Sequence, residues 1–97
     1  MGLLFRWDQR KAKANLTKHG ISFKEASTAF GDPLSVTIED VEHSRGESRY
    51  ILLGETVIHR LVVVSHTDRN GEIRIISARF ASRQERRSYE AGKKPQR

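Results

Sequence analysis

The chain has 97 residues, and its 18 Lys and Arg against 12 Asp and Glu give a net charge of +6 at pH 7. This length predicts one small domain with a modest core, and the lack of cysteine excludes disulfides and thiolate metal sites. The residues after the first Met lack an apolar run long enough for a signal peptide or membrane span, so we expect a cytoplasmic protein without membrane contact. The positive charge on its own favours an anionic partner: RNA, DNA, a membrane surface or an acidic protein.

The first third of the sequence predicts a short strand followed by two helices. Residues 3–7 alternate in a strand pattern. Asp8 is a suitable N-cap for a helix over 9–19, and Gly20 supplies its left-handed C-cap. A capping box at 22–25 opens a second short helix, which a Gly-Asp-Pro run ends.

The rest of the sequence predicts a four-stranded antiparallel meander and a final helix. The predicted strands cover 34–39, 49–53, 57–67 and 72–79, with an Asn-Gly hairpin turn before the last of them. Continuous apolar runs at 61–64 and 73–76 place the last two strands in the sheet centre. A second capping box at 82–85 opens a helix that ends near residue 91. We therefore expect a single α+β domain over 1–91, with the helices mainly on one side of the sheet, and a flexible basic tail over 92–97.

Metal and nucleotide sites find little support in the sequence. The four histidines (His19, His43, His59 and His66) have no metal-ligand spacing, and the acidic residues near His43 are typical of a solvated loop. No phosphate-binding glycine loop or nucleophile elbow is present. We accordingly expect neither a metal nor a cofactor.

Basic residues instead concentrate around the last strand and the last helix. Arg74 and Arg79 both lie on the last predicted strand, where regular alternation would point them to opposite faces unless a bend redirects Arg79. The ends of the neighbouring strands could bring Arg49 and His66 to the same corner. The last predicted helix adds Arg83, Arg86, Arg87 and Tyr89.

Such a group of residues suits RNA binding, and also RNA cleavage without a metal. Guanidinium groups bind phosphate through paired hydrogen bonds, tyrosine can stack on a base, and histidine can move a proton. Plainer roles remain open for the same side chains. Arg86 and Arg87 suit an ordinary helix surface, Tyr89 could dock its helix, and His66 could be hydrogen-bonded locally.

Several short motifs, in order, resemble the BrnT family of toxins. They begin with Trp-Asp at 7–8, Lys-His-Gly at 18–20, Phe-Lys-Glu-Ala at 23–26 and Asp-Pro at 32–33. They continue with Gly-Glu-Ser-Arg at 46–49, Ile-Ile-Ser-Ala-Arg at 75–79 and Glu-Arg-Arg-Ser-Tyr-Glu at 85–90. The resemblance spans residues 5 to 91 and implies a RelE-like fold.

The resemblance also implies a function: a ribonuclease toxin of a type II toxin–antitoxin pair that cleaves mRNA without metal. It implies a BrnA-type antitoxin with a ribbon-helix-helix domain, forming a hetero-oligomer that binds operator DNA only through the antitoxin. Arg79, Arg83 and Tyr89 match positions that RelE-type toxins use, and for the basic residues of their middle strands this chain offers Arg49, Arg74 and His66. We therefore expect catalytic roles for Arg49, His66, Arg79, Arg83 and Tyr89, and RNA contacts from Lys18, His19, Arg74 and Arg86. The alternative is a non-catalytic RNA- or protein-binding subunit of a DNA-binding regulatory complex.

Overall fold

The computed structural model describes residues 3–93, of which Lys93 is described by its backbone alone. The described residues form one strand, two helices, four consecutive strands and a final helix, with short 3-10 turns at Ala29–Gly31 and Val41–His43. The elements are β1 (Leu4–Arg6), α1 (Gln9–His19), α2 (Phe23–Thr28), β2 (Val36–Glu39), β3 (Arg49–Glu55), β4 (Leu61–Arg69), β5 (Glu72–Phe80) and α3 (Arg83–Lys93). None of the described helices is long and apolar enough to cross a membrane.

The structure has α1 between its two predicted caps, whereas α3 continues beyond its predicted end. Asp8 accepts a hydrogen bond from the Lys11 amide at 3.0 Å, and Gly20 ends α1 with a φ of 73°. Gly92 and Lys93, predicted as tail, lie within α3, while residues 94–97 of the predicted tail lie outside the described residues.

The sheet has five strands rather than the predicted four, in the order β1-β5-β4-β3-β2. The difference is β1, which joins the sheet edge in parallel pairing with β5, Phe5 lying beside Ile73. The remaining four strands form the predicted antiparallel meander, with β4 and β5 inside the sheet. Residues 57–60, predicted as the start of a strand, form a turn instead, closed by a hydrogen bond from the Thr56 amide to the Arg60 carbonyl. The predicted α+β class is confirmed.

The two faces of the sheet differ in what covers them. On the inner face, strand residues such as Leu52, Val64 and Ile75 pack with Phe23 and Ala26 of α2 in the main core. The opposite face, called the outer face below, carries the alternate strand residues. Among the described elements, α3 alone covers it, so two of the three described helices lie on the inner side, as predicted.

A bulge in β5 decides which arginines share a face. Ser65 of β4 pairs with Ser77, whereas its neighbour His66 pairs with Ile75, so Ile76 is an extra residue in β5. The extra residue reverses the alternation. Arg74 and Arg79, which regular alternation would separate, therefore both project from the outer face.

Candidate nucleic-acid interface

Three arginines form a row across the outer face. Arg6 of β1 pairs with Arg74 of β5, Arg74 pairs with Thr67 of β4, and Thr67 pairs with Arg49 of β3. At the usual strand spacing, the row spans about 14 Å from Arg6 to Arg49. Four neighbouring strands thus present three guanidinium groups on one surface.

Carboxylates neutralise only part of this row. Arg6 forms an ion pair with Glu72 at 3.0 Å, and Arg69 pairs with Glu47 close by. Within residues 3–93, the guanidinium groups of Arg49 and Arg74 have neither a hydrogen bond nor an ion pair. These two groups are therefore available to an anion from outside the chain.

Arg79 lies farther along the same face and is held in place by α3. Its partner on β4, Val63, is four residues from Thr67, a separation of about 13 Å along the strand. The Arg79 guanidinium donates to both carboxylate oxygens of Glu85, at 2.8 and 2.9 Å. This pairing lowers the pKa of Glu85 to about 2 and raises the pKa of Arg79. The Arg79 guanidinium is thus held rigidly before α3, about half exposed, with its charge balanced by Glu85 and its remaining N–H groups left for an anion.

Tyr89 anchors α3 to the rest of the domain. It is buried, and its hydroxyl donates a 2.5 Å hydrogen bond to Asp32. Asp32 also accepts hydrogen bonds from the amides of Leu34 and Glu55. Burial, followed by the bond to Asp32, raises the pKa of Tyr89, so its phenol stays protonated at neutral pH. The ring lies beneath α3 and contributes to docking that helix.

His66 lies on the inner face, opposite the arginine row. It pairs with Tyr50 and is only 4% exposed, with its ring against Phe30 at a centroid distance of 4.8 Å. Burial lowers its pKa, and its Nδ1 lies 3.2 Å from the Val64 carbonyl oxygen. Arg49 pairs with Thr67 and projects from the outer face, so the sheet itself separates the side chains of His66 and Arg49.

The remaining predicted site residues lie at the periphery. Arg83 and Arg86 are exposed on α3. Lys18 and His19, at the end of α1, line a shallow depression with Ile76 and Ser77 of β5. This depression lies beside the bulge, between α1 and β5.

Sequence reasoning missed Arg6, Glu85 and Asp32 as components or supports of this surface. Alternation with Phe5 and Trp7 indicated that Arg6 points away from the core, but three residues cannot specify which strand β1 joins. The capping box identified Glu85 as a helix-start residue, not as the partner of Arg79. Among the described residues, no group of three or more His, Asp or Glu side chains could hold a metal ion.

The geometry suits a polyanion that lies along the outer face. Free guanidinium groups at Arg49 and Arg74 can take one phosphate region, and Arg79 can take another about 13 Å away. Phosphates separated along a nucleic acid strand could meet both regions, whereas a single small anion could not.

The comparisons with known proteins agree with this fold. A family model described as "Ribonuclease toxin, BrnT, of type II toxin-antitoxin system" matches residues 7–85, which include Arg49, Arg74 and Arg79. The 1.1 Å crystal structure of the Brucella abortus ribonuclease toxin BrnT aligns with a TM-score of 0.65. The alignment covers 84% of this chain and 100% of that chain, at 20% sequence identity, and therefore shows a shared fold. A comparison with curated protein sequences gives no match.

Proposed function

Because the chain belongs to the BrnT family of ribonuclease toxins of type II toxin–antitoxin systems, we propose that it is a metal-independent endoribonuclease that cleaves mRNA on the outer face. Cleavage of mRNA would stop translation in the cytoplasm. The observation that carries this proposal is the set of arginines that the β5 bulge and the β1 pairing bring to one face: Arg6, Arg49, Arg74 and Arg79.

The proposed reaction uses the substrate's own nucleophile. The ribose 2′-hydroxyl loses its proton and attacks the adjacent phosphorus, and the bond to the 5′-oxygen of the next nucleotide breaks. That 5′-oxygen takes up a proton, and a 2′,3′-cyclic phosphate remains. Negative charge grows on the phosphoryl oxygens during attack, and a fixed guanidinium stabilises that charge. Arg79 suits this role because its two hydrogen bonds to Glu85 hold it rigidly. Arg83, the first residue of α3, would bind the same phosphate.

The other arginines position the strand. Arg49 and Arg74 would bind neighbouring phosphates, with Arg86 on α3 and Lys18 and His19 beside β5 extending the RNA contact. We also propose Tyr89 for proton transfer or base stacking, because it lies on α3, the helix that covers this face. Its hydroxyl donates to Asp32, so it would have to leave that carboxylate before it could give a proton to RNA. The His66 imidazole is buried on the inner face. Its contribution to the site would therefore be structural, through packing beneath the strands that carry the arginines.

A type II toxin has an antitoxin partner, and we propose that this partner is of the BrnA type. It would be a ribbon-helix-helix protein, encoded beside the toxin, that forms a hetero-oligomer with it and supplies the contacts to operator DNA. The positively charged outer face would attract an acidic segment of this antitoxin, with fast and salt-sensitive association.

The test is the Arg79→Ala/Arg83→Ala double variant, assayed for RNA cleavage by the purified protein in EDTA and for growth arrest in cells. We expect at least about a hundredfold loss of cleavage, the scale of losing one charge-stabilising donor. Arg10→Ala, which removes an exposed arginine of α1, is the matched control and should cleave normally. Undiminished cleavage and growth arrest in the double variant would disprove the proposed site.

The same assay separates cleavage from simple binding. New RNA ends formed in EDTA by the unaltered protein support the enzyme. A mobility shift without new ends would favour the non-catalytic binding subunit.

A further inference from the structure

Beside the arginine row, the outer face carries an apolar groove. It has a volume of about 350 Å³ and lies between the edge strand β2 and α3. The strands and the segment before β2 contribute apolar lining from Leu34, Val36, Ile38, Ile51, Leu53 and Val63. The helix α3 contributes Glu85, Ser88 and Tyr89 on the other side, so the groove reaches the supports of the proposed RNA site. Val36 is 54% exposed and Ile38 60% exposed, although both sit beside buried or half-buried apolar neighbours. A contiguous exposed patch of this kind in a small domain marks an interaction surface.

The free edge of β2 adds hydrogen-bonding capacity to the groove. All four β2 residues are exposed, and within the described chain β2 has a strand neighbour, β3, on one side only. Unpaired backbone amides and carbonyls at a sheet edge can pair with another polypeptide in extended form. RNA has no matching backbone, so this edge favours a protein as the occupant.

The groove continues directly into the arginine row. Arg49 precedes Ile51 by two residues on β3, so its guanidinium projects from the same face about 7 Å along the strand. Arg49 and Arg74 have no carboxylate partner within residues 3–93, as described above. One segment could therefore bury apolar side chains in the groove while its carboxylates meet these guanidinium groups.

We propose that the groove and the adjoining arginines dock an extended, acidic, amphipathic segment of the antitoxin. Its apolar side chains fill the groove beside Val36 and Ile38, its backbone pairs with β2, and its carboxylates cover Arg49 and Arg74. The identity of the occupant rests on the proposed function. Because the docked segment would cover Arg49 and Arg74, two of the proposed RNA-binding arginines, it would also neutralise the toxin.

The experiment compares two matched double variants of the full chain by isothermal titration with the purified antitoxin encoded beside it. Val36→Gln/Ile38→Gln alters the groove. Val57→Gln/Ile58→Gln alters an equally exposed Val and Ile pair (69% and 60%) in the turn between β3 and β4, outside the groove. We expect the groove variant to raise Kd at least about tenfold, as loss of an interface anchor does, and the turn variant to leave Kd within about twofold.

RNA cleavage is measured in parallel and should be unchanged in both variants. Circular dichroism checks that they fold, and if the groove variant does not, Ile38→Thr against Ile58→Thr repeats the comparison with a strand-compatible residue. If the unaltered chain fails to cleave RNA, the proposed function fails, but the Kd comparison still decides the docking surface.

Three results would contradict the proposal that an antitoxin segment docks in the groove. The first is a groove variant that binds the antitoxin as tightly as the unaltered chain. The second is a groove variant that loses RNA binding but keeps antitoxin binding, because RNA would then occupy the groove. The third is an unaltered toxin that dimerises alone and becomes monomeric when the groove is altered, because a second copy would then be the occupant.

Discussion

Asn15 is a polar residue at a helix position that faces the core, and it is only 6% exposed. Its side-chain amide donates to the carbonyls of Ala78 and Ile21, at 2.9 and 3.1 Å, and its oxygen accepts from the Ala78 amide at 3.1 Å. Ala78 lies on the part of β5 that extends past its pairing with β1. Asn15 thus satisfies the free backbone groups of β5 there, as a neighbouring strand would, and it closes that edge of the sheet.

Replacing Asn15 with Ala should therefore lower the free energy of unfolding by about 3 kcal/mol, because it leaves buried backbone groups without partners. Thr17→Ala, on the exposed side of α1, is the control and should change the free energy by less than about 0.5 kcal/mol. Urea unfolding followed by circular dichroism measures both. A loss below about 1 kcal/mol for Asn15→Ala would mean that water replaces its hydrogen bonds.

At the scale of elements, α3 depends on two polar attachments rather than on a broad apolar stripe. Tyr89 is its one large aromatic residue and bonds to Asp32, while Glu85 links Arg79 to the start of the helix. Glu85 also accepts from the Ser82 amide at 2.8 Å, and the Ser82 hydroxyl accepts from the Glu85 amide at 3.1 Å. This reciprocal capping box means that a single carboxylate supports both the helix start and Arg79.

Glu85 should consequently make stability depend on acid pH. Its pKa of about 2 in the folded chain lies below the value of about 4.3 in an unfolded chain, so its contribution is complete above that value and disappears as pH falls towards 2. Glu85→Gln should lower the free energy of unfolding at pH 7 by about 1 kcal/mol, allowing for screening of this partly exposed pair by water.

Urea unfolding of both proteins between pH 7 and 2 provides the measurement. The difference between the unaltered chain and Glu85→Gln should be constant above about pH 5 and shrink below it. Other carboxylates titrate in both proteins, so the difference isolates Glu85. A difference that is already zero at pH 7 would show that the Arg79–Glu85 pair does not stabilise the fold.

The elements themselves were largely predictable from the sequence, because each has a local signal. Asp8 and Gly20 bracket α1, the capping box at 82–85 opens α3, and the Asn-Gly pair turns β4 into β5. The pairing of β1 was not predictable, because alternation over three residues does not identify a parallel partner far along the chain.

The candidate site was predictable in composition but not in geometry. Arg74 and Arg79 were identified, yet their common face depends on one extra residue in β5, and Ile76 has no Gly or Pro to signal a bulge. The inner position of His66 likewise depends on its pairing with Tyr50 of β3. The sequence around His66 does not indicate which residue of the neighbouring strand it pairs with. The face from which a strand side chain projects can thus be predicted only where the strand register can be predicted.

At the scale of the whole molecule, the described residues concentrate positive charge on two surfaces. One is the outer face, with its arginine row and the exposed arginines of α3. The other is the first half of α1, a helix without a single Asp or Glu, where Arg10, Lys11 and Lys13 are all exposed. Charge alone would allow RNA to bind either surface, so the proposed site on the outer face needs a test that separates the two.

Salt dependence of RNA binding can make this separation. Each phosphate contact to a single strand contributes about 0.7 to the slope of log K against log salt concentration. If the outer face holds the RNA, Arg74→Ala should reduce the steepness of that slope by about 0.7, while Arg10→Ala on α1 leaves it unchanged. Fluorescence anisotropy with a short, uncleavable single-stranded RNA over a range of NaCl concentrations gives the slopes. If Arg10→Ala reduces the slope and Arg74→Ala does not, the RNA lies along α1 and the outer face is left to the protein partner.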